Sequence, residues 1–262
     1  MFQSPGEVAF RLFGLPVYFY GIILAAATFI GFYTAYSCYA SVCNKTDAEK
    51  IIDFAPILII AGIAGARLYY CIVNYSYYLT HPLQILNIRQ GGLSIHGMII
   101  AGIIALWFCV NKYKLDFLKT LDCMACGTVL SQSIGRWGNF FNSEAFGLPT
   151  NLPWKLFIPL EHRPYTLKDF EYFHPAFLYE SLADLLIFVI LIMLLKKTTK
   201  YRGVLFGIYL VLYSIVRIGV EYLRVDGTLN LFGLPVAQWM SFFIIVCACI
   251  YIIFVICLED YH

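Results

Sequence analysis

Seven long apolar runs, near residues 17–38, 51–73, 93–110, 120–134, 176–195, 203–223 and 235–258, constrain this chain more than any other feature. A run of roughly 17 to 25 apolar residues crosses a bilayer as a helix, because hydrocarbon offers no partner for a bare backbone N–H or C=O. The runs therefore predict an all-α polytopic membrane protein with about seven transmembrane helices. Composition agrees: 61% of the 262 residues are hydrophobic and 13% are charged, where a soluble domain carries roughly a quarter charged residues. Mean hydropathy is +0.75. The lipid bilayer is the first expected partner, and a net charge of only +2 argues against nucleic acid. In the fourth run Asp122, Ser131, Gln132 and Ser133 interrupt the apolar pattern, which predicts that this helix faces protein or a water-filled cavity. No internal repeat stands out.

Lysine and arginine set the expected orientation. The connections after the first, third and fifth runs hold nine of them: Lys45, Lys50, Lys112, Lys114, Lys119, Lys196, Lys197, Lys200 and Arg202. The N-terminal segment and the connections after the second and sixth runs hold Arg11, Arg89 and Arg224. Positive charge collects on the cytoplasmic side, so the N-terminus is expected outside and the C-terminus in the cytoplasm. Residues 135–175, with Pro149, Pro153, Pro159, Pro164 and Pro175, then form a small extracytoplasmic cap within a single membrane domain spanning 1–262, rather than another helix.

The cysteines are read as packing residues, since most of the nine lie in or beside apolar runs. Cys123 and Cys126 form a CxxC without the second ligand pair of a zinc site. Five histidines and scattered carboxylates show no metal-ligand spacing. The first sixteen residues contain Glu7 and two prolines and no lysine-rich start, so the first span is expected to remain in the mature protein.

Polar side chains inside spans are functional candidates by default, and Arg67, Arg217 and Glu221 stand out. Tyr213, Arg217, Glu221 and Arg224 are spaced by four, four and three residues, one face of a helix. An Arg217/Glu221 pair that merely neutralises itself is the plainer alternative. GRWGNFFNSEAFG (135–147) gathers Arg136, Asn139, Asn142 and Glu144 among three glycines. An arginine fork with amide donors suits a phosphate, and a Gly/Asn-rich interfacial turn is the alternative. GGLSIHG (91–97) adds Ser94 and His96 at the start of the third run. Histidine accepts a proton near neutral pH, although a lone histidine also anchors at interfaces.

At these residues the chain resembles the prolipoprotein diacylglyceryl transferases of bacterial inner membranes. The signature G-R-x-G-N-F-x-N-x-E-x-x-G is met at every fixed position from Gly135 to Gly147. Around it lie YG at Tyr20–Gly21, GAR at Gly65–Arg67, GG-x-S-x-HG at Gly91–Gly97, HP-x-x-LYE at His174–Glu180 and Y-x-x-x-R-x-x-x-E-x-x-R from Tyr213 to Arg224.

The resemblance implies transfer of the sn-1,2-diacylglyceryl group from phosphatidylglycerol to the lipobox cysteine thiol of a prolipoprotein signal peptide. The product is a thioether and the leaving group glycerol phosphate, with no cofactor and no metal. Arg136 and Arg217 are the implied phosphate clamp and His96 the implied base for the thiol. Tyr20, Asn139, Glu144, Gly147, Tyr213, Glu221 and Arg224 are implied in binding phosphatidylglycerol, with Glu221 orienting Arg217. An Arg-lined cavity also binds or moves anions without chemistry, so a non-catalytic lipid-binding or transport protein is the alternative.

Overall fold

A computed structural model describes residues 2–88, 91–225 and 230–261. Among them are eight α-helices: α1 (Phe19–Val42), α2 (Lys45–Val73), α3 (Tyr75–Thr80), α4 (Ile95–Tyr113), α5 (Phe117–Phe141), α6 (Ala176–Leu195), α7 (Val204–Glu221) and α8 (Val236–Tyr261). Six of these, α1, α2, α4, α6, α7 and α8, are long and apolar enough to cross a membrane. The protein is thus mostly helical and multi-pass, with six such helices where the apolar runs suggested seven. The fourth run falls on α5, which has the length, 25 residues, and lacks the apolarity.

Two expectations are corrected. Helix α5 continues through Phe141, so residues 135–141, assigned above to the cap, are helical. The fold is also not purely α. Short strands β1 (Phe2–Gln3), β2 (Val8–Leu12), β3 (Leu15–Tyr18), β4 (Leu156–Phe157), β5 (Tyr172–Phe173), β6 (Asn230–Leu231) and β7 (Leu234–Pro235) form small sheets. Two hairpins, β2–β3 and β6–β7, share a short repeat, against the expectation of none: LFGLPV occurs at 12–17 and again at 231–236. Both copies turn through Phe-Gly with positive φ, 50° and 82° at Phe13 and Gly14 and the same values at Phe232 and Gly233. Paired positive φ angles match the right-handed twist of a tight hairpin, and glycine adopts its share without strain.

The chain divides into two units. The first holds residues up to Cys38 and from Leu121 onward. In it α5 is laced to its neighbours by the polar residues that made its sequence look weak. Ser131 Oγ donates to Ala27 O on α1 at 2.7 Å. Ser133 and Ser181 exchange hydroxyl-to-carbonyl bonds of 2.8 Å with α6, and Gln132 Oε1 accepts from Tyr209 on α7 at 3.0 Å. The Asp122 carboxylate accepts the Gly203 and Phe206 N–H groups at 2.8 Å each, capping α7 from a neighbouring helix. Helices α1 and α5 touch through backbone where Gly31 meets Gly127, the small-residue crossing that close packing in lipid favours. Beyond α5, β1, β4 and β5 form a three-stranded sheet over a core of Phe140, Phe146, Leu156, Ile158, Phe173 and Phe177.

The second unit, 39–120, is built on α2 packed against α4, with α3 and a 3-10 helix at Pro82–Leu86 between them in sequence. Asn44 caps α2, accepting from Asp47 N at 2.7 Å.

Candidate active site

In the first unit, buried Glu180 on α6 collects three guanidinium groups. Arg136 Nη2 on α5 lies 2.5 Å from its Oε2. Arg224 Nη1, just past α7, lies 3.2 Å from Oε1 and Arg217 Nη1 on α7 lies 3.9 Å from the same oxygen. Arg217 Nη2 is held by Glu221 Oε2, one helical turn on, at 2.6 Å. The Glu180 and Glu221 side chains are 4% and 3% exposed, whereas those of Arg136, Arg217 and Arg224 are 20%, 21% and 16% exposed. Acids thus stand behind and arginines in front. Each guanidinium carries five N–H donors, so Arg136 and Arg217, each anchored to a buried carboxylate, can also present donors to an anion.

Asp184, one turn along α6 from Glu180, is 1% exposed, and neither of its oxygens has a hydrogen-bond partner among the described residues. Glu180 and Asp184 are not among the site residues expected from the sequence. The signal was available: two acids four residues apart in an otherwise apolar run share one helix face.

The signature segment brackets this cluster. Arg136 is in the last turns of α5, and the chain then leaves the helix through Ser143 and Ala145, at φ 53° and 54°. Asn139 O accepts the Glu144 N–H at 3.0 Å. Asn142 Nδ2 donates to exposed Glu144 at 3.2 Å. Gly147 donates to His174 O at 2.8 Å and pairs with Arg224 as an isolated β-bridge. A Cβ at Gly147 would lie 2.8 Å from Leu223 O, so no larger residue allows that approach. A Cβ at Gly138 would sit 2.7 Å from the Tyr20 ring, which lies along α5 within electrostatic reach of Arg136 and Glu144. Tyr213 packs on Tyr209, ring centroids 5.9 Å apart.

His96 and Arg67 belong to the second unit. His96 is exposed at the start of α4, its ring 6.0 Å from that of Tyr69. Arg67, buried in α2, faces backbone: its guanidinium donates to the carbonyls of Gln84, Ile85, Asn87, Gly91 and Gly92 at 2.5 to 3.1 Å. The CxxC pair is buried, and Cys126 shares a hydrogen bond with Cys38 on α1. Among the described residues no three His, Cys, Asp or Glu side chains converge in a metal-holding group.

Residues 7–254 match the sequence model of a family described as prolipoprotein diacylglyceryl transferase. A protein of Trichormus variabilis named phosphatidylglycerol--prolipoprotein diacylglyceryl transferase is 43% identical over 246 residues, 92% of this chain and 86% of its own length. Like-named proteins of Synechocystis sp. and Parasynechococcus marenigrum are each 43% identical, over 251 and 231 residues. These cover 92% and 86% of this chain and 86% and 82% of the relatives.

Proposed function

The chain belongs to the prolipoprotein diacylglyceryl transferase family, and we propose that its arginine cluster is where the phosphodiester of phosphatidylglycerol is held during transfer. The protein is a membrane transferase that moves a diacylglyceryl group from phosphatidylglycerol to prolipoproteins. The acceptor is the thiol of the lipobox cysteine in the signal peptide. The observation that carries the site is the layering of Arg136, Arg217 and Arg224 in front of buried Glu180 and Glu221. That arrangement offers fixed cationic donors to a phosphate in a medium of low dielectric, where such donors act most strongly.

The thiol sulfur attacks the glycerol carbon that bears the phosphate. The C–S bond forms as the C–O bond to phosphate breaks, the thiol proton passes to His96, and glycerol phosphate leaves as an anion. Arg136 and Arg217 bind the phosphate and neutralise charge growing on the departing oxygen. Glu221 orients Arg217, and Glu180 orients Arg136 and Arg224. Tyr20, Asn139, Glu144, Gly147 and Tyr213 shape the head-group site.

For topology, α5 is the seventh span, its polar side chains turned to α1, α6 and α7. The N-terminus is outside, the C-terminus is cytoplasmic, and the segment between α5 and α6 is the extracytoplasmic cap. The deciding experiment reconstitutes the protein with phosphatidylglycerol and a lipobox peptide and searches for a thioether-linked diacylglyceryl adduct by mass spectrometry. Inserted, folded protein that yields no adduct would overturn the reading.

A further inference from the structure

Two sequence motifs of the second unit, GAR at 65–67 and GGLSIHG at 91–97, interlock residue by residue. Gly65 meets Gly97 backbone to backbone where α2 crosses α4, and a Cβ on either would overlap the other helix. The next residue, Ala66, accepts the Ser94 N–H through its carbonyl at 3.0 Å. Arg67 follows and donates to Gly91 O at 2.8 Å and to Gly92 O at 3.0 Å. Three successive residues of α2 therefore hold three successive parts of the segment that leads into His96.

Arg67 does more than touch that segment. Its remaining donors take the carbonyls of Gln84 (2.5 Å), Ile85 (2.8 Å) and Asn87 (3.1 Å), and its guanidinium lies 5.3 Å from the centre of the Tyr78 ring. A buried guanidinium is costly unless its donors are satisfied, and here backbone dipoles satisfy them. The fit runs both ways: Gly91 and Gly92 have φ of 80° and 74°, and a Cβ on Gly92 would come within 2.6 Å of Arg67 Nη1. With its donors spent on the fold, Arg67 is a poor candidate for a phosphate ligand.

We infer that Arg67 is a positioning residue for His96: it holds the backbone at Gln84, Ile85 and Asn87 and at Gly91 and Gly92, and hence sets the place of the imidazole at the first turn of α4. The inference rests on the reading of His96 as the base for the substrate thiol. A lysine at 67 keeps the charge and reaches at most three acceptors with a single nitrogen, so the loop loses its template while the cation stays.

The test compares wild type, Arg67→Lys, His96→Gln and the double variant in proteoliposomes of phosphatidylglycerol with a lipobox peptide, across neutral to alkaline pH. Arg67→Lys should lower kcat by roughly ten- to a hundredfold with KM for peptide and lipid little changed. Its pH profile should take the shape of the His96→Gln profile. The double variant should be no slower than the slower single variant, because both changes remove the same contribution. Gly92→Ala, which crowds Arg67 without removing it, should reproduce the Arg67→Lys profile and keeps the test open should the lysine variant fail to fold. Effects of Arg67→Lys and His96→Gln that multiply, with a wild-type pH profile for the arginine variant, would overturn the positioning role. Full activity of His96→Gln would instead overturn the base assignment on which it rests.

Discussion

Arg136 on α5 and Glu180 on α6 form the shortest ion pair of the cluster among the described residues, 2.5 Å between Nη2 and Oε2, with the Glu180 side chain 4% and the Arg136 side chain 20% exposed. The same carboxylate holds Arg224 at 3.2 Å and stands 3.9 Å from Arg217, so one buried acid organises cations from both sides of α6.

Glu180→Gln should therefore be among the most disruptive isosteric changes in the protein. It leaves arginines facing one another with a neutral amide between them. Breaking a buried pair by removing one partner costs on the order of 3–5 kcal/mol, and partial exposure of the arginines places this case at the low end. A lowered thermal midpoint in detergent and a loss of transfer should appear together. A Gln variant with unchanged melting and unchanged rate would remove Glu180 from the centre of the site.

Arg136→Lys and Arg217→Lys should each lose activity by on the order of a hundredfold while inserting and folding. The charge survives, but an ammonium cannot keep a carboxylate on one edge and hold a phosphate with the other as a planar fork does. Transfer rates on protein of verified monodispersity decide the matter, and near wild-type turnover in both variants would sink the clamp.

His96→Gln should slow transfer roughly a hundredfold at neutral pH and recover in part as pH rises, because a cysteine thiol ionises unaided near pH 8.5. Phosphatidylglycerol binding should be retained. A rate that stays uniformly low from neutral to alkaline pH would point to a structural role for the imidazole.

Reporter cysteines at Lys155 and Lys197 in a cysteine-free background test the topology. An impermeant reagent should reach residue 155 from outside and residue 197 from the cytoplasm only, following the bias of lysine and arginine among the short connections. Labelling of residue 197 from outside alone would invert the orientation.

The apolar runs dictated helices because a chain dissolved in lipid must satisfy its backbone within each segment, and every run emerged as a helix. The arginines, His96 and the Gly135–Gly147 signature were legible as well, since charges and glycines stand out against an apolar background. Their partners were not. Arg67 and Arg217 look alike in sequence, each a lone cation in an apolar run, yet one is spent on five backbone carbonyls and the other faces two carboxylates. Asp122 interrupts α5 in sequence and caps α7 in space. Glu180 gained its place only when α5, α6 and the end of α7 came together around it. Periodicity and hydropathy are local properties that a one-dimensional reading captures, whereas the pairing of buried charges depends on which helix faces which, and helix packing alone settles that.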